Sequence, residues 1–304
     1  MKSGMPANPG IALGSGGARG LAHVGVLEVL LESGIRPAFV AGTSMGAIVG
    51  AAYASGNFRK LADTLRSLDI AEAAALFLDF GFGKPGLVKG RRVMGFLAAI
   101  IPDITFSELQ IPFAAMATDI ATGEAVAITR GRVLPAIRAS ISIPGVFTPV
   151  KRGAATLVDG GISSPVPVAM ARSLGAESVV AVNVDDVAPC PYNTHRLPAM
   201  VNRAIDFRER LHAKIKEGLG IVGDNGVGFF ETLSKTTRIC EDRIARWEVE
   251  RTKPDWLIEP AVGDIPTMDF SRIDDAIQAG RDAAREFIST VKGAPPFQGT
   301  AFRR

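Results

Sequence analysis

The chain is poor in the residues that metal, redox and disulfide chemistry need. Its 304 residues hold two cysteines, Cys190 and Cys240, and three histidines, His23, His195 and His212. Two cysteines exclude a disulfide framework and a four-cysteine metal site. No histidine pair has the H-E-x-x-H spacing of a zinc hydrolase, and no G-x-x-x-x-G-K-[S/T] loop is present for nucleoside triphosphates. Neither sign of charge dominates: 34 Lys+Arg against 31 Asp+Glu leave a formal +3. That is too little to argue nucleic-acid binding, though it allows attraction to an anionic surface. Long hydrophobic runs are missing as well. Stretches such as Gly46 to Ala54 have about half the length a membrane helix needs. Near the start, Lys2 is followed by Pro6 and Pro9, with no unbroken apolar segment ahead of a cleavage site. The expectation is a cytoplasmic protein that meets membrane, if at all, at its surface.

What the chain does have is apolar substance, 47% of its residues. That is enough to bury a sizeable core and to exclude a disordered chain. Short apolar runs alternate with helical periodicity, which predicts α/β architecture. Ile11-Ala12-Leu13, Ala38 to Ala41, Phe113 to Thr118, Ala125 to Thr129, Ala155 to Val158, Ser178 to Val184 and Asp255 to Ile258 read as strands. Helices are expected from Leu21 to Ser33, from Gly46 to Ala54, over 57–69, from Arg91 to Pro102, and from Ile273 to Val291. Between Leu197 and Trp247 the composition turns polar, basic and helical. No repeat and no linker divides the chain, so residues 9–292 read as one domain with a tail over 293–304.

Three glycine-rich turns fall at predicted strand ends, where α/β proteins place their sites. The sharpest is Gly42-Thr43-Ser44-Met45-Gly46. A serine between a strand and a helix sits on a strained turn that exposes its hydroxyl, and the Met45 amide that follows points toward any oxyanion formed there. The same spacing also suits an ordinary tight turn. Gly14-Ser15-Gly16-Gly17-Ala18-Arg19-Gly20 can aim the amides of Gly16 and Gly17 at a developing negative charge. A dinucleotide loop is the rival reading, but its third glycine would fall at Arg19, and no ribose-binding acid follows the second strand. A base remains to be found. His195 and His212 lie in polar, basic segments, and a lone histidine on a helix, as His23 is, more often serves packing or hydrogen bonding. Asp159, at a strand end before Gly160-Gly161, is the better candidate, because partial burial can raise a carboxylate until it accepts a serine proton. A plain turn residue is the competing reading of Asp159.

In that order, Gly14-Ser-Gly-Gly-Ala-Arg-Gly20, Gly42-Thr-Ser-Met-Gly46 and Asp159-Gly-Gly161 resemble the three signature motifs of the patatin-like phospholipase family. Ala117-Thr-Asp-Ile-Ala-Thr-Gly123 and Arg138 to Phe147 resemble internal segments of its bacterial members. The resemblance implies a three-layer α/β/α fold with a central, mostly parallel sheet, in a minimal, single-domain member. It further implies a Ser44–Asp159 dyad, an oxyanion hole from the Gly16–Gly17 region, and hydrolysis of phospholipid or other lipid acyl esters with no metal and no cofactor. Two other activities fit the same residues less well: a soluble carboxylesterase or thioesterase for short or medium acyl chains, and a non-catalytic regulator that retains the fold. Residues 75–92, with Phe77, Phe80 and Phe82 among glycines and followed by Lys84, Lys89, Arg91 and Arg92, are expected to form either a mobile apolar lid or part of the core.

Overall fold

The computed structural model describes residues 9–69, 72, 73, 76, 88–185 and 229–291. Its centre is a run of five parallel strands in the order β3-β2-β1-β7-β8: β1 (Pro9–Leu13), β2 (Phe39–Thr43), β3 (Phe113–Asp119), β7 (Ser178–Val182) and β8 (Trp256–Ile258). Three antiparallel strands extend it, namely β4 (Ala125–Ile128) and β6 (Ala155–Asp159) on β3, and β5 (Val150–Arg152) on β6. The helices are α1 (Ala22–Glu32), α2 (Met45–Ala54), α3 (Phe58–Ser67), α4 (Arg91–Ile100), α5 (Val133–Ser140), α6 (Val168–Ser173), α7 (Phe229–Thr252) and α8 (Ile273–Val291).

Strand alternation separates the core into two faces. Ile11, Leu13, Val40, Val180 and Val182 join the larger cluster with α1, α2 and α8. Their neighbours Ala12, Ala41, Val179 and Ala181 join a smaller one with Val168 and Ala171 of α6 and Ala245 of α7. A parallel strand covered by helices on both sides is apolar at successive positions, and β1 is buried along its whole length. The result is a mixed α/β fold whose central sheet is mostly parallel and lies between two helical layers. One close approach is made by glycine: a Cβ on Gly25 of α1 would stand 1.9 Å from the Ile277 carbonyl of α8. That crossing ties the closing helix to the first one.

The topology decides where the site forms. Thr43, the last residue of β2, pairs with Met116, and Asp159, the last residue of β6, pairs with Ala117. Ala115 and Met116 pair with both β2 and β4, whereas Ala117 and Thr118 pair with both β4 and β6. Since a strand has two edges, β2 and β6 follow one another along the same edge of β3. They run in opposite directions, so their C-terminal ends meet head-on between Met116 and Ala117. Most of the expected lid, residues 77–87, lies outside the described residues, as do the tail over 293–304 and the polar stretch from 197 to 228.

Candidate active site

Ser44 and Asp159 emerge from those two facing strand ends. The Ser44 hydroxyl donates to Oδ2 of Asp159 at 2.6 Å, across 115 residues of sequence. Both residues are buried, at 4% and 2% exposure, which leaves the pair little competition from water. Ser44 has φ 54° and ψ −118°, a conformation that costs a non-glycine residue on the order of 1–3 kcal/mol. Its surroundings hold it there. The Ser44 amide donates to Oγ of Ser140, and the carbonyls of Leu13 and Gly14 come so close to Gly46 that a Cβ there would sit 2.2 Å from the first. Gly42 is equally confined, by the Gly46 carbonyl at 2.3 Å from its Cβ position.

Asp159 is fixed at both ends. Its Oδ1 accepts the Gly161 amide at 2.8 Å, and its own carbonyl accepts the Thr118 hydroxyl at 2.7 Å. Gly160 lies against the Met116 carbonyl, where no Cβ fits. Burial pushes the Asp159 carboxyl up to about 7, against the two hydrogen bonds that favour its charged form. A carboxylate of that basicity can exchange a proton with a serine hydroxyl near neutral pH.

The Gly14–Gly20 loop closes over the same point. Gly16 and Gly17 have φ 106° and 58°, a left-handed succession that suits glycine. The amides of Gly14, Ser15, Ala18 and Arg19 donate to the carbonyls of Val182, Pro165, Thr267 and Gly16 respectively. Among the described residues no acceptor takes those of Gly16, Gly17 or Met45. These three amides sit at the starts of a 3-10 turn (Gly17–Leu21) and of α2, where unpaired N–H groups can receive an oxyanion. Gly20 packs on Met45, with 2.5 Å between its Cβ position and the Met45 Cβ. At Gly17 a Cβ would stand 2.3 Å from the Thr267 carbonyl, which is the acceptor of Ala18. Gly17→Val is therefore expected to tilt the loop, lowering kcat by roughly 10²-fold with a smaller change in KM; an ordinary kcat would remove the loop from the chemistry.

Arg19 does not face the dyad's hydrogen bonds. It is buried and paired with Asp185 at 2.7 Å, while the Ser15 hydroxyl donates to the other Asp185 oxygen at 2.7 Å. The pair lashes the loop to the end of β7. Removing one partner would leave the other charge buried alone, at a cost of about 3–5 kcal/mol. His23 is also buried. Its Nε2–H donates to the Gly14 carbonyl at 2.8 Å, and burial pushes its imidazole down to about 4, so it is neutral and structural in character. His195 and His212 lie outside the described residues. Among the described residues, no group of three or more His, Cys, Asp or Glu side chains could hold a metal ion.

An apolar pocket opens beside Ser44. Leu65 of α3, Phe96 of α4, Ile143, Phe147, Met268 and Phe270 contribute to its wall, with Gly17 and Met45 next to the serine. The expected lid is represented there by Leu76 alone, since Phe77, Phe80 and Phe82 fall outside the described residues.

Sequence reasoning missed four polar residues around the dyad: Ser140, Asp185, Glu241 and Glu248. Asp185 was within reach, because it follows a strong strand at the sheet end that carries the site. The two glutamates carried no signal, being ordinary members of a polar helix. In the structure Glu248 accepts the Ser164 hydroxyl at 2.6 Å and the Val166 amide at 2.8 Å, and burial pushes its carboxyl up to about 7. The Ser164 carbonyl in turn accepts the Thr43 hydroxyl at 2.7 Å. Thus α7 holds the loop that follows Asp159, and that loop is bonded to the residue before Ser44.

Comparison with known proteins gives the family. The family model described as Patatin-like phospholipase matches residues 11–172, more than half of the chain. The protein belongs to this family. An uncharacterized NTE family protein of Mycobacterium tuberculosis is 38% identical over 175 residues, covering 58% of this chain and 48% of that protein. A second one from the same organism is 31% identical over 284 residues, covering 91% and 46%. Lysophospholipase NTE1 of Yarrowia lipolytica is 27% identical over 300 residues, covering 93% of this chain and 19% of its own length. The chain spans about half the length, or less, of these curated relatives. Among solved structures, VipD from Legionella pneumophila shares the fold, with a TM-score of 0.50 at 14% identity over 94% of this chain and 68% of that one.

Proposed function

We propose that this protein is a lipid acyl hydrolase that cleaves carboxylic esters through Ser44 and Asp159. The observation that carries the reading is the 2.6 Å hydrogen bond between Ser44 Oγ and Asp159 Oδ2, with Ser44 lining an apolar pocket. In this reading Ser44 Oγ attacks the ester carbonyl carbon while its proton passes to Asp159. The amides of Gly16, Gly17 and Met45 receive the oxyanion, and protonated Asp159 returns the proton to the departing alcohol oxygen. Water then attacks the acyl-enzyme with Asp159 again as base, releasing the fatty acid. No step calls for a metal or a cofactor. The pocket is the natural place for the acyl chain, because an alkyl tail gains about 0.8 kcal/mol for each methylene removed from water.

The name of the yeast relative, a lysophospholipase, supports a phospholipid or lysophospholipid substrate. The fold supports treating residues 9–292 as one hydrolase domain, since β7, β8 and α8 complete the sheet and core begun within residues 11–172. Among the described residues no helix is long and apolar enough to cross a membrane. We place the protein in the cytoplasm, meeting its lipid at the membrane surface.

The test is acyl release from phospholipid and lysophospholipid vesicles beside p-nitrophenyl butyrate, with Ser44→Ala as control. Long-chain fatty acid should appear only with the wild type, and kcat/KM for the long-chain ester should exceed that for butyrate by at least roughly tenfold, as a few buried methylenes warrant. Turnover of butyrate alone would assign a soluble esterase instead. No Ser44-dependent turnover of either substrate would leave a fold without this activity.

A further inference from the structure

Helix α7 lies beyond the stretch that the family model matches, yet it packs against the turn that carries Asp159. It presents Glu241, Ala245 and Glu248 at spacings of four and three, one buried stripe along the helix. Glu248 has hydrogen-bond work to do in the following loop. Glu241 has another place: its Oε1 lies 2.8 Å from the Cβ position that Gly161 leaves empty, and Asp159 Oδ1 lies 3.2 Å from the same point. The two carboxyls therefore both approach the place where Gly161 lacks a side chain, with Gly161 donating its amide to Asp159.

The charges around Glu241 come from three other elements. Asp159 ends β6, Asp185 follows β7, and Arg19 stands in the glycine loop after β1. Arg19 is already matched by Asp185 at 2.7 Å, and among the described residues it is the one cation named beside the two further carboxylates. Burial, then Asp185 and Asp159, push the Glu241 carboxyl well above the usual carboxylate range, with Arg19 opposing. When Asp159 is ionised and ready to act as base, Glu241 has to stay protonated, because two buried like charges this close disfavour one another.

We propose that Glu241 is a positioning residue of the dyad: its side chain, packed against Gly161, seals that side of the Asp159 turn against water, and so sets the pH range in which Asp159 can accept the Ser44 proton. This rests on the Ser44–Asp159 reading given above. The seal acts through solvation, since removing the side chain would let water reach Asp159 and make its charged form easier to reach. Shape alone is required, so an uncharged amide of the same size serves equally well at neutral pH.

The experiment is the pH dependence of kcat/KM for p-nitrophenyl butyrate, with thermal melting, for the wild type, Glu241→Gln, Glu241→Ala and Ser44→Ala, all as the full chain. In Glu241→Gln the midpoint of the rising limb should stay within about 0.3 pH unit of the wild type, while Glu241→Ala should move it down by about one unit as Asp159 is hydrated. Glu241→Asn withdraws the head group by one methylene without adding a charge and should shift the midpoint in the same direction as Ala, which keeps the test decisive if the alanine variant does not fold. A midpoint that stays put in Glu241→Ala or Glu241→Asn while the melting temperature falls would make Glu241 structural only and overturn the proposal. Equal shifts in the Gln and Ala variants would also overturn it, since they would point to charge rather than to the seal. Hydrolysis that survives Ser44→Ala would instead refute the dyad reading, an outcome distinguishable from either of these.

Discussion

Replacing Ser44 by alanine is expected to lower ester hydrolysis by at least about 10³-fold, because in the proposed mechanism the acyl-enzyme then has no route of formation, while the proposed oxyanion donors remain. The fold should survive. Ser44 is joined to the rest of the protein by its backbone, through the Ser140 hydroxyl and the start of α2, and alanine keeps both. Its side chain makes one bond, to Asp159. Ser140, Ser142 and Ser163 are the serines to exclude. Oγ of Ser140 accepts the Ser44 amide, Ser142 Oγ donates to the Arg138 carbonyl, and Ser163 Oγ exchanges a hydrogen bond with Thr118. None of these three is next to a carboxylate; Ser15 and Ser164 are, donating to Asp185 and Glu248, but neither lines the apolar pocket as Ser44 does. Treatment with a fluorophosphonate followed by mass spectrometry should place the adduct on the peptide containing Ser44 and leave Ser44→Ala unlabelled. An adduct on another serine, or turnover retained in the mutant, would sink the assignment.

Much of this site was legible in the chain, for a physical reason. A nucleophile turn, an oxyanion loop and the end of an acid-bearing strand each need glycine where backbones come within van der Waals contact. Gly17, Gly42, Gly46 and Gly160 are such points, and a Cβ at each would meet a carbonyl oxygen within 2.5 Å. Fully buried strands were equally legible, since Val179 to Val182 is apolar on both faces of the sheet. The elements that escaped are short or mixed. β5 has three residues, two of them Lys151 and Arg152, and α6 has six. α5 carries Pro135 in its first turn, which reads as a breaker, although a helix tolerates proline there because those amides have no intrahelical acceptor. The meeting of β2 and β6 on one edge of β3 was beyond periodicity altogether, since it depends on where two strands distant in sequence each pair with β3. So were Glu241 and Glu248, whose burial follows only from where α7 docks.

Asp159→Asn should lower kcat by roughly 10²–10⁴-fold, because the amide keeps the shape of the carboxylate and cannot take the Ser44 proton. His23→Gln, His195→Gln and His212→Gln should each keep most of the activity; any one as inactive as Ser44→Ala would reinstate a histidine base. The pH dependence follows from the same group. Asp159 must be ionised to act as base, so wild-type kcat/KM should rise with a midpoint near the carboxyl's own value, about 7. Stability runs the other way. In the unfolded chain the carboxyl titrates near 3.9, so between that value and about 7 the native state holds a proton that the unfolded state has released. Unfolding free energy then falls as pH rises through this window and levels off above it. Three units of displacement correspond to on the order of 4 kcal/mol for this fully buried group. Asparagine does not titrate, and its amide can still accept the Gly161 N–H while donating to Ser44. Asp159→Asn is therefore expected to melt at a higher temperature than the wild type at pH 8, and at nearly the same temperature at pH 4. Thermal melts at the two pH values, run beside the rate measurements, check both signs at once. An inactive Asp159→Asn whose melting temperature tracks the wild type at both pH values would mean that the carboxylate is not held against its charge. In that event the basicity assigned to the dyad would have to come from the bound substrate.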